Sequence, residues 1–438
     1  MIKFFVKYYK PHKMLFAFDL LCAFFASLID LMYPIAMNKI IDDYVPNKNI
    51  RFLVAWVVVL FVIFVLRAFL TYWMQYWGHV VGVRMQGDMR SDMFKHLQKL
   101  PLSYFDETKV GSLMSRLVND LMDISELAHH GPEDLFISMT LIIGSFFFMA
   151  KINLPITLIV FAFLPFAVIF AVSMHKRMMA AFIKTREETA TVNAVIENSL
   201  SGIRVAKSFV TQQHEQEKFD QGNQKFIHAR NKAYKVMGQF FSGSGLCIDM
   251  LNLIALAAGG YYTIIGRISV GEFASYIMFV TMFMNPIRKL VTLMEQFQNG
   301  MSGFKRFTEI LDVEAEKDIE GAKNLEEISG DIVFDNVSFK YPDSQNILDN
   351  INLTIKSGAT TAFVGESGAG KTTLCHLIPR FYDVIQGEIK INDENIKNYT
   401  LSSLRGKIGI VAQNVFLFTG TIKENIAYGS DNATMEDI

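Results

Sequence analysis

A nine-residue stretch near the C-terminal end of the chain has the residue types and spacing needed to bind the phosphate groups of a nucleotide. It reads, in order, Gly365, Glu366, Ser367, Gly368, Ala369, Gly370, Lys371, Thr372 and Thr373. This matches the pattern Gly-x-x-x-x-Gly-Lys-Ser/Thr, in which the lysine places a charge on the β- and γ-phosphates and the following hydroxyl binds Mg²⁺. Glycines let backbone N–H groups turn toward phosphate oxygens, and a following helix adds free donors. The stretch predicts binding of a nucleoside triphosphate with Mg²⁺, but not the process that its hydrolysis drives.

Such a loop lies between a strand and a helix, and the surrounding sequence predicts both. Strand-like runs occur at 332–339, 351–355, 360–364, 388–391 and 408–411. The run 360–364 leads directly into the loop, and residues 372–378 predict the helix, which ends near Pro379. We therefore expect residues 331–438 to form an α/β structure, preceded by an acidic, apolar-poor linker at 309–330.

The chain as a whole has the composition of a membrane protein. Hydrophobic residues make up 51% and charged residues 19% of the 438 residues, whereas soluble proteins are about 25% charged. A transmembrane helix needs about 20 mostly apolar residues, and six segments are predicted to span: 14–35, 52–77, 135–150, 154–172, 243–265 and 273–293. The net charge of −1 gives no indication of nucleic-acid binding. Cys22, Cys247 and Cys375 are widely separated and form no CxxC or Cys/His cluster, which argues against a disulfide framework or a zinc site.

Lysine and arginine residues predict the orientation of these spans. They are concentrated before the first span, between spans two and three, and between spans four and five, and they are sparse in the other connections. Because positively charged loops stay in the cytosol, we expect a multi-pass protein of the cytoplasmic membrane whose N-terminus and nucleotide-binding part are cytosolic. Tight external turns are predicted at 151–155 and 266–271.

The two long internal connections keep a helical periodicity. In the first of them, apolar residues recur three or four positions apart at Met85, Met89, Met93, Leu97 and Leu100. One interpretation is helices that lie on the membrane surface. The other, which we favour, is that the spans continue into the cytosol as long stalks that turn near 105–115 and 208–219.

Charged residues in or near the spans are candidates for function, since charge within a bilayer is costly. They are Asp19, Asp30, Arg67 and Asp249. Asp249 would attract cationic amphiphiles, or else pair with a neighbouring helix. The chain also contains 38 Phe and 23 Met; such side chains suit adaptable apolar binding surfaces, although they also face lipid or pack helices together.

Several segments together resemble the ABC exporter family, and in particular bacterial half-transporters. The resemblance rests on Val337 to Pro342, on the loop at 365–373, on Ile408 to Phe418, and on stalk segments at 104–120 and 197–209. By this resemblance Tyr341 stacks on adenine, and Gln413 contacts Mg²⁺ or the attacking water. The two stalk segments are the family's coupling regions, which dock on ATP-binding domains.

The resemblance implies a fold class and a function. The fold is an α-helical membrane domain of six transmembrane helices with long cytosolic stalks (1–308), the linker (309–330), and a partial α/β P-loop nucleotide-binding domain (331–438). The function is ATP- and Mg²⁺-dependent export of a small amphipathic substrate (drug-like, lipid or peptide) across the lipid bilayer by alternating access. The partner would be an identical or related half-transporter, as a homodimer or heterodimer, and no nucleic acid is expected.

The chain departs from the family pattern after Gln413. It has no Leu-Ser-Gly-Gly-Gln signature, no apolar strand ending in Asp-Glu and no switch histidine. The resemblance implies an ATP-hydrolysing transporter when the protein is full-length. Since phosphoryl transfer depends on such positioning groups, we expect these 438 residues alone not to hydrolyse ATP at a useful rate. The alternative function is therefore an ATP-binding membrane subunit or regulator without hydrolytic activity of its own. An importer is disfavoured because the membrane and ATP-binding parts are fused.

Overall fold

The computed structural model describes residues 2–342, 345–411, 415–430 and 433–438. The chain divides into two compact units. The helical unit comprises residues 1–95 and 114–312, and the sheet unit comprises residues 96–113 and 313–438. The first predicted stalk turn therefore belongs to the sheet unit, although the helix that leads to it begins in the helical unit.

Helices account for nearly all of residues 2–311. In chain order they are α1 (Ile2–Lys7), α2 (Lys13–Lys39), α3 (Ile50–Leu97), α4 (Leu102–Glu107), α5 (Val110–Ser115), α6 (Leu121–Ser201), α7 (Ile203–Ser208), α8 (Gln212–Ile264) and α9 (Val270–Leu311). Short π-helical segments follow α2 at Ile40–Tyr44 and α5 at Arg116–Asp120.

Four helical stretches among the described residues are long and apolar enough to cross a membrane: Phe4–Tyr44, Ile50–Leu97, Val110–Ser201 and Gln212–Ile264. A shorter apolar helix, Val270–Met282, follows them. The structure therefore has the helical membrane-type domain expected from the sequence, while the number of six spans stays a prediction.

The third of these stretches reverses direction within α6. Asn153 has the extended backbone angles φ −157° and ψ 106°, and it separates two helical arms. The rings of Phe146 and Phe161 lie 4.9 Å apart, whereas residues at that spacing are about 22 Å apart along a straight helix. The chain must therefore turn back between them, and Asn153 lies within the predicted turn at 151–155.

The long helices extend beyond the thickness of a bilayer. The 48 residues of α3 span about 72 Å, more than twice the hydrocarbon thickness of about 30 Å. The predicted apolar stripe of the first stalk is buried, with Met85, Met89 and Met93 at most 1% exposed. The second predicted turn is also present, since α7 ends at Ser208 and α8 begins at Gln212. These features favour stalks over surface helices.

The interior of the helical unit is formed by α2, α6, α8 and α9. Its buried side chains include Leu31, Met149, Leu251, Tyr276 and Phe279. The start of α9 is fixed by a capping box between Ser269 and Glu272, and the Ser269 hydroxyl also bonds to the carboxylate of Asp42.

Within the described residues, the sheet unit contains four antiparallel strands, β1 (Ile332–Phe339), β2 (Leu348–Ile355), β3 (Gln386–Ile391) and β4 (Glu394–Asn395), in the order β2-β1-β3-β4. Besides α4, it includes the helices α10 (Lys371–Leu377), α11 (Leu401–Arg405) and α12 (Ile422–Ile426). Phe334, Val337, Leu377, Ile389 and Leu404 are at the centre of its core.

Two predicted strands are wrong. Residues 360–364 and 408–411 have no strand structure, and Val364 and Val411 are 93% and 99% exposed. Short segments rich in apolar and β-branched residues are typical of buried parallel strands, which require paired neighbours and cover on both faces. The described residues supply neither, so both segments lie on the surface as irregular chain.

Candidate functional site

The loop at residues 365–370 is shaped by two glycines with left-handed backbone angles. Gly368 has φ +87° and Gly370 has φ +83°, a region that other residues adopt at a cost. A Cβ at Gly370 would lie 2.7 Å from Leu348 Cδ2, whereas one at Gly368 would meet nothing within 4 Å. The loop is therefore packed against β2 at Gly370 and open at Gly368, which leaves room for a ligand beside the exposed residues 365–369.

Lys371 is held over this loop by its own backbone. Its Nζ donates to the carbonyl oxygens of Gly365 at 2.9 Å and Glu366 at 2.6 Å. Because an ammonium group has three N–H donors, one remains available to an anion above the loop. Thr372 is exposed, while Thr373 is buried. The helix expected at 372–378 is confirmed as α10.

Tyr341 lies next to α10 in a small aromatic cluster. Its hydroxyl is 3.3 Å from Thr373 Oγ1, and its ring meets those of Phe339 and Tyr382 edge-on at 4.9 and 5.0 Å. The structure thus brings Tyr341 and Thr373 together at the base of the loop. The other predicted contact of this site, Gln413, lies outside the described residues.

Tyr382 is a residue that the sequence reasoning missed. Its hydroxyl donates to Asp106 Oδ2 at 2.6 Å, which joins α4 to the segment after α10 within the sheet unit. Burial and this bond to the carboxylate raise the pKa of the Tyr382 phenol well above its usual value, so the phenol stays protonated and remains a donor. No sequence pattern predicts this contact. Tyr382 follows an irregular segment in which Arg380 has left-handed backbone angles.

Further hydrogen bonds connect the segment 96–113 to residues 313–438, the other part of the sheet unit. The Glu316 amide donates to Lys99 O at 2.8 Å, and Glu316 itself forms a two-bond pair with Arg405 of α11. The stretch 104–106, which the resemblance identifies as a coupling region, is therefore in direct contact with the strand- and loop-bearing part of its own chain.

A cavity of about 440 Å³ lies among α6, α8 and α9 of the helical unit. Most of its lining is apolar, with Ala167, Ala171, Met178, Phe240, Phe241, Ile248 and Ile287. Its polar groups include His175 and Glu295, whose Nε2 and Oε2 atoms are 3.8 Å apart, and Ser244, whose buried hydroxyl has no hydrogen-bond partner among the described residues. An apolar wall with few polar groups is typical of sites for small amphipathic molecules. Sequence reasoning missed His175 and Glu295 because both lie just past the ends of predicted spans.

The charged residues singled out from the sequence have different environments. Asp30 and Arg67 form an ion pair with a 2.5 Å contact. This pairing explains why each charge is found in a predicted span. Asp249 is exposed on α8 and is not among the residues that line the cavity. Asp19 is buried.

Comparison with known proteins finds two family models in succession. The ABC transporter transmembrane region matches residues 16–287, and the ABC transporter model matches residues 348–438. The chain is 40% identical over 439 residues to an uncharacterized ABC transporter ATP-binding protein, YwjA, of Bacillus subtilis (strain 168), covering 100% of this chain and 76% of that protein. It is 29% identical to a putative multidrug export ATP-binding/permease protein, YgaD, of the same organism, covering 100% and 77%. It is 30% identical to an ATP-dependent lipid A-core flippase of Syntrophus aciditrophicus (strain SB), covering 99% and 72%.

Proposed function

The chain belongs to the ABC transporter family, with the transmembrane and ATP-binding parts on one polypeptide, and from this we propose that it exports hydrophobic or amphipathic molecules across the cytoplasmic membrane at the expense of ATP. The N-terminus and the sheet unit would be cytosolic, as the distribution of Lys and Arg predicts.

The observation that carries the substrate class is the mainly apolar cavity with Glu295 and His175 in the helical unit. A partly exposed carboxylate in an apolar wall favours a molecule that is apolar over most of its surface and carries a cationic group. The names of two relatives, a multidrug export protein and a lipid A-core flippase, agree with apolar or amphipathic cargo.

The loop at 365–373 would bind ATP and Mg²⁺. Its left-handed glycines and the open space at Gly368 fit a phosphate chain. In this proposal Lys371 binds the β- and γ-phosphates, the exposed Thr372 hydroxyl binds Mg²⁺, and Tyr341 lies beside adenine. Gln413 would contact the metal or the attacking water. ATP supplies the free energy, and the residues of this chain hold and orient it.

Transport would proceed by alternating access in a homodimer or a heterodimer with a related half-transporter. Two ATP-binding parts would close on ATP, and the stalk turns would pass that movement to the helices. The contact between Tyr382 and Asp106 within the sheet unit is the kind of attachment that such a transfer needs.

ATP-dependent uptake of a cationic dye by inside-out vesicles that contain the full-length half-transporter tests the proposal. We expect Glu295→Gln to lower uptake of the cationic dye by roughly fivefold or more, because a charge pair about 4 Å apart is worth about 1 kcal/mol even in bulk water. Uptake of a neutral apolar dye should change little. Glu187→Gln removes an exposed carboxylate of α6 and is the matched control. Equal uptake of the cationic dye by the wild type and Glu295→Gln would exclude this substrate site.

The alternative, an ATP-binding membrane subunit without hydrolytic activity, predicts a different pattern. MgATP would bind, while neither phosphate release nor dye uptake would occur even in vesicles that contain the full-length protein. Uptake that requires ATP and is abolished by Lys371→Ala would exclude it.

A further inference from the structure

Five ionisable side chains from three helices form one cluster in the helical unit. Asp19 comes from α2, His79 from α3, and His129, His130 and Glu133 from α6. Two trios of ligand atoms, one from His79, His129 and His130 and the other from Asp19, His129 and Glu133, each have all members within 4.8 Å of one another. The two trios share His129, and we call the five residues together the His–carboxylate cluster.

The centre of the His–carboxylate cluster is buried and its polar atoms are unsatisfied. Asp19, His129 and Glu133 are 1%, 3% and 1% exposed. Within the part of the chain that the structure describes, both carboxylate oxygens of Asp19, both ring nitrogens of His129 and one oxygen of Glu133 have no hydrogen-bond partner. His129 Nδ1 and Glu133 Oε2 are 3.4 Å apart. Since buried polar groups are nearly always satisfied, this concentration of unpartnered oxygen and nitrogen atoms points to a ligand that bonds to several of them at once.

The backbone of α3 leaves space for these side chains. A Cβ at Gly78 would lie 2.1 Å from His129 Cε1 and 3.0 Å from Asp19 Oδ1. Only glycine therefore allows the imidazole and the carboxylate to meet against α3. A larger residue at position 78 would occupy the space in which the side chains of His129 and Asp19 lie.

The protonation of His79 also suits a metal ligand. Its Nδ1 is 2.6 Å from the carbonyl oxygen of Gln75, and because a carbonyl only accepts, the proton is on Nδ1. The lone pair of the other ring nitrogen is then free. Metal-binding histidines commonly donate their second ring nitrogen to a backbone carbonyl in this way.

We propose that the His–carboxylate cluster binds one divalent transition-metal ion, with Zn²⁺ as the best match to its donors. Imidazole and carboxylate ligands suit Zn²⁺ and its first-row neighbours. Donor atoms around a tetrahedral Zn²⁺ are about 3.4 Å apart for bonds of about 2.1 Å, so small side-chain rotations bring the observed atoms into range. The two carboxylates carry two negative charges when ionised, which a divalent cation neutralises. The sequence argument against zinc concerned cysteine ligands, and this site uses none.

The bound ion would join α2, α3 and α6 where the predicted spans 14–35, 52–77 and 135–150 have their cytosolic ends. This inference does not depend on the proposed export function, since it concerns side chains of the helical unit alone.

Metal binding by the purified, tag-free chain in detergent tests the site. After chelator treatment, equilibrium dialysis against Zn²⁺ with elemental analysis should give about one ion per chain, and Co²⁺ should give the visible absorption of a four-coordinate ion. Asp19→Asn and His129→Gln should each weaken binding by at least about tenfold, the lower end of what even supporting residues contribute at metal sites. Zn²⁺ should also raise the melting temperature of the wild type in a concentration-dependent way.

Further variants separate loss of ligands from loss of fold. Gly78→Ala removes no donor but displaces His129, and should also weaken binding. His79→Gln changes an exposed ring and is the variant to use if His129→Gln does not fold. His214→Gln, an exposed histidine on α8, should bind as the wild type does. The proposal is overturned if the wild type binds neither Zn²⁺ nor Co²⁺, or if His79→Gln and Asp19→Asn bind as tightly as the wild type.

Discussion

At the scale of single residues, Lys371 is held in place by the backbone of the loop that precedes it. Replacing it with Ala removes the ammonium held by Gly365 and Glu366. We expect MgATP affinity to fall by at least about tenfold, because hydrogen bonds to charged groups contribute about 1.5–3 kcal/mol. Titration with a fluorescent ATP analogue measures this. Lys356→Ala, which removes an exposed lysine paired with Asp331, should leave the affinity unchanged; similar losses in both variants would contradict the role of Lys371.

Gly370 carries a second prediction at this scale. Gly370→Ala forces a side chain into left-handed angles and against Leu348. We expect it to destabilise the sheet unit by about 1–3 kcal/mol and to weaken MgATP binding. Gly409→Ala is the matched control, since its Cβ would meet nothing within 4 Å and its φ is not left-handed. Equal unfolding midpoints in denaturant for the two variants would show that the loop tolerates other residues at Gly370.

The sequence predicts the loop well because the motif is local. Nine consecutive residues carry the whole pattern, and the left-handed angles of Gly368 and Gly370 agree with it. The His–carboxylate cluster was not predictable in this way, because Asp19, His79 and His129 are more than 40 positions apart and meet only when three helices pack. Asp19 alone stood out from the sequence, as a charge in a predicted span.

At the scale of elements, the sequence patterns were sufficient to place the long helices along the chain but not to place all of the strands. A helix satisfies its backbone hydrogen bonds within itself, so the long periodic segments could be placed from their own residues. A strand needs neighbours. The runs at 332–339 and 351–355 pair with each other, whereas 360–364 and 408–411 have the composition of strands without partners among the described residues.

The start of α9 provides a prediction about one element. Ser269 accepts from the Glu272 amide at 2.9 Å and bonds to Asp42. Ser269→Ala should lower the free energy of unfolding of the helical unit by about 1 kcal/mol, as the loss of an N-cap does. Ser302→Ala changes an exposed serine in the same helix and should have little effect. Thermal unfolding in detergent measures both, and an unchanged midpoint for Ser269→Ala would mean that the cap contributes nothing.

At the scale of the whole molecule, the chain leaves the helical unit at residue 95 and returns to it at residue 114. Between these points α4 is attached to the sheet unit through Asp106 and Tyr382. A displacement of Tyr382 within the sheet unit would therefore act on the segment 96–113. Along the chain this segment begins at the C-terminal end of α3 and precedes α6.

Tyr382→Phe tests this attachment. It removes the hydroxyl and keeps the ring, so MgATP affinity should change by less than about twofold. ATP-dependent dye uptake should fall several-fold, because a hydrogen bond to a charged group contributes about 1.5–3 kcal/mol. Tyr428→Phe, at an exposed tyrosine of the same unit, is the control. If the Tyr382→Phe variant transports the dye as the wild type does, the hydrogen bond between Tyr382 and Asp106 is not needed for transport.

The reversal at Asn153 constrains how the chain is made as well as how it is folded. The ribosome delivers the predicted span 135–150 first, and this span is shorter than the about 20 apolar residues that a helix needs to cross a bilayer alone. The predicted span 154–172 follows directly after the turn, and Phe146 and Phe161 are in contact across it. We therefore expect the two predicted spans to insert as a helical hairpin, and we expect a longer turn at Asn153 to slow insertion of the first one.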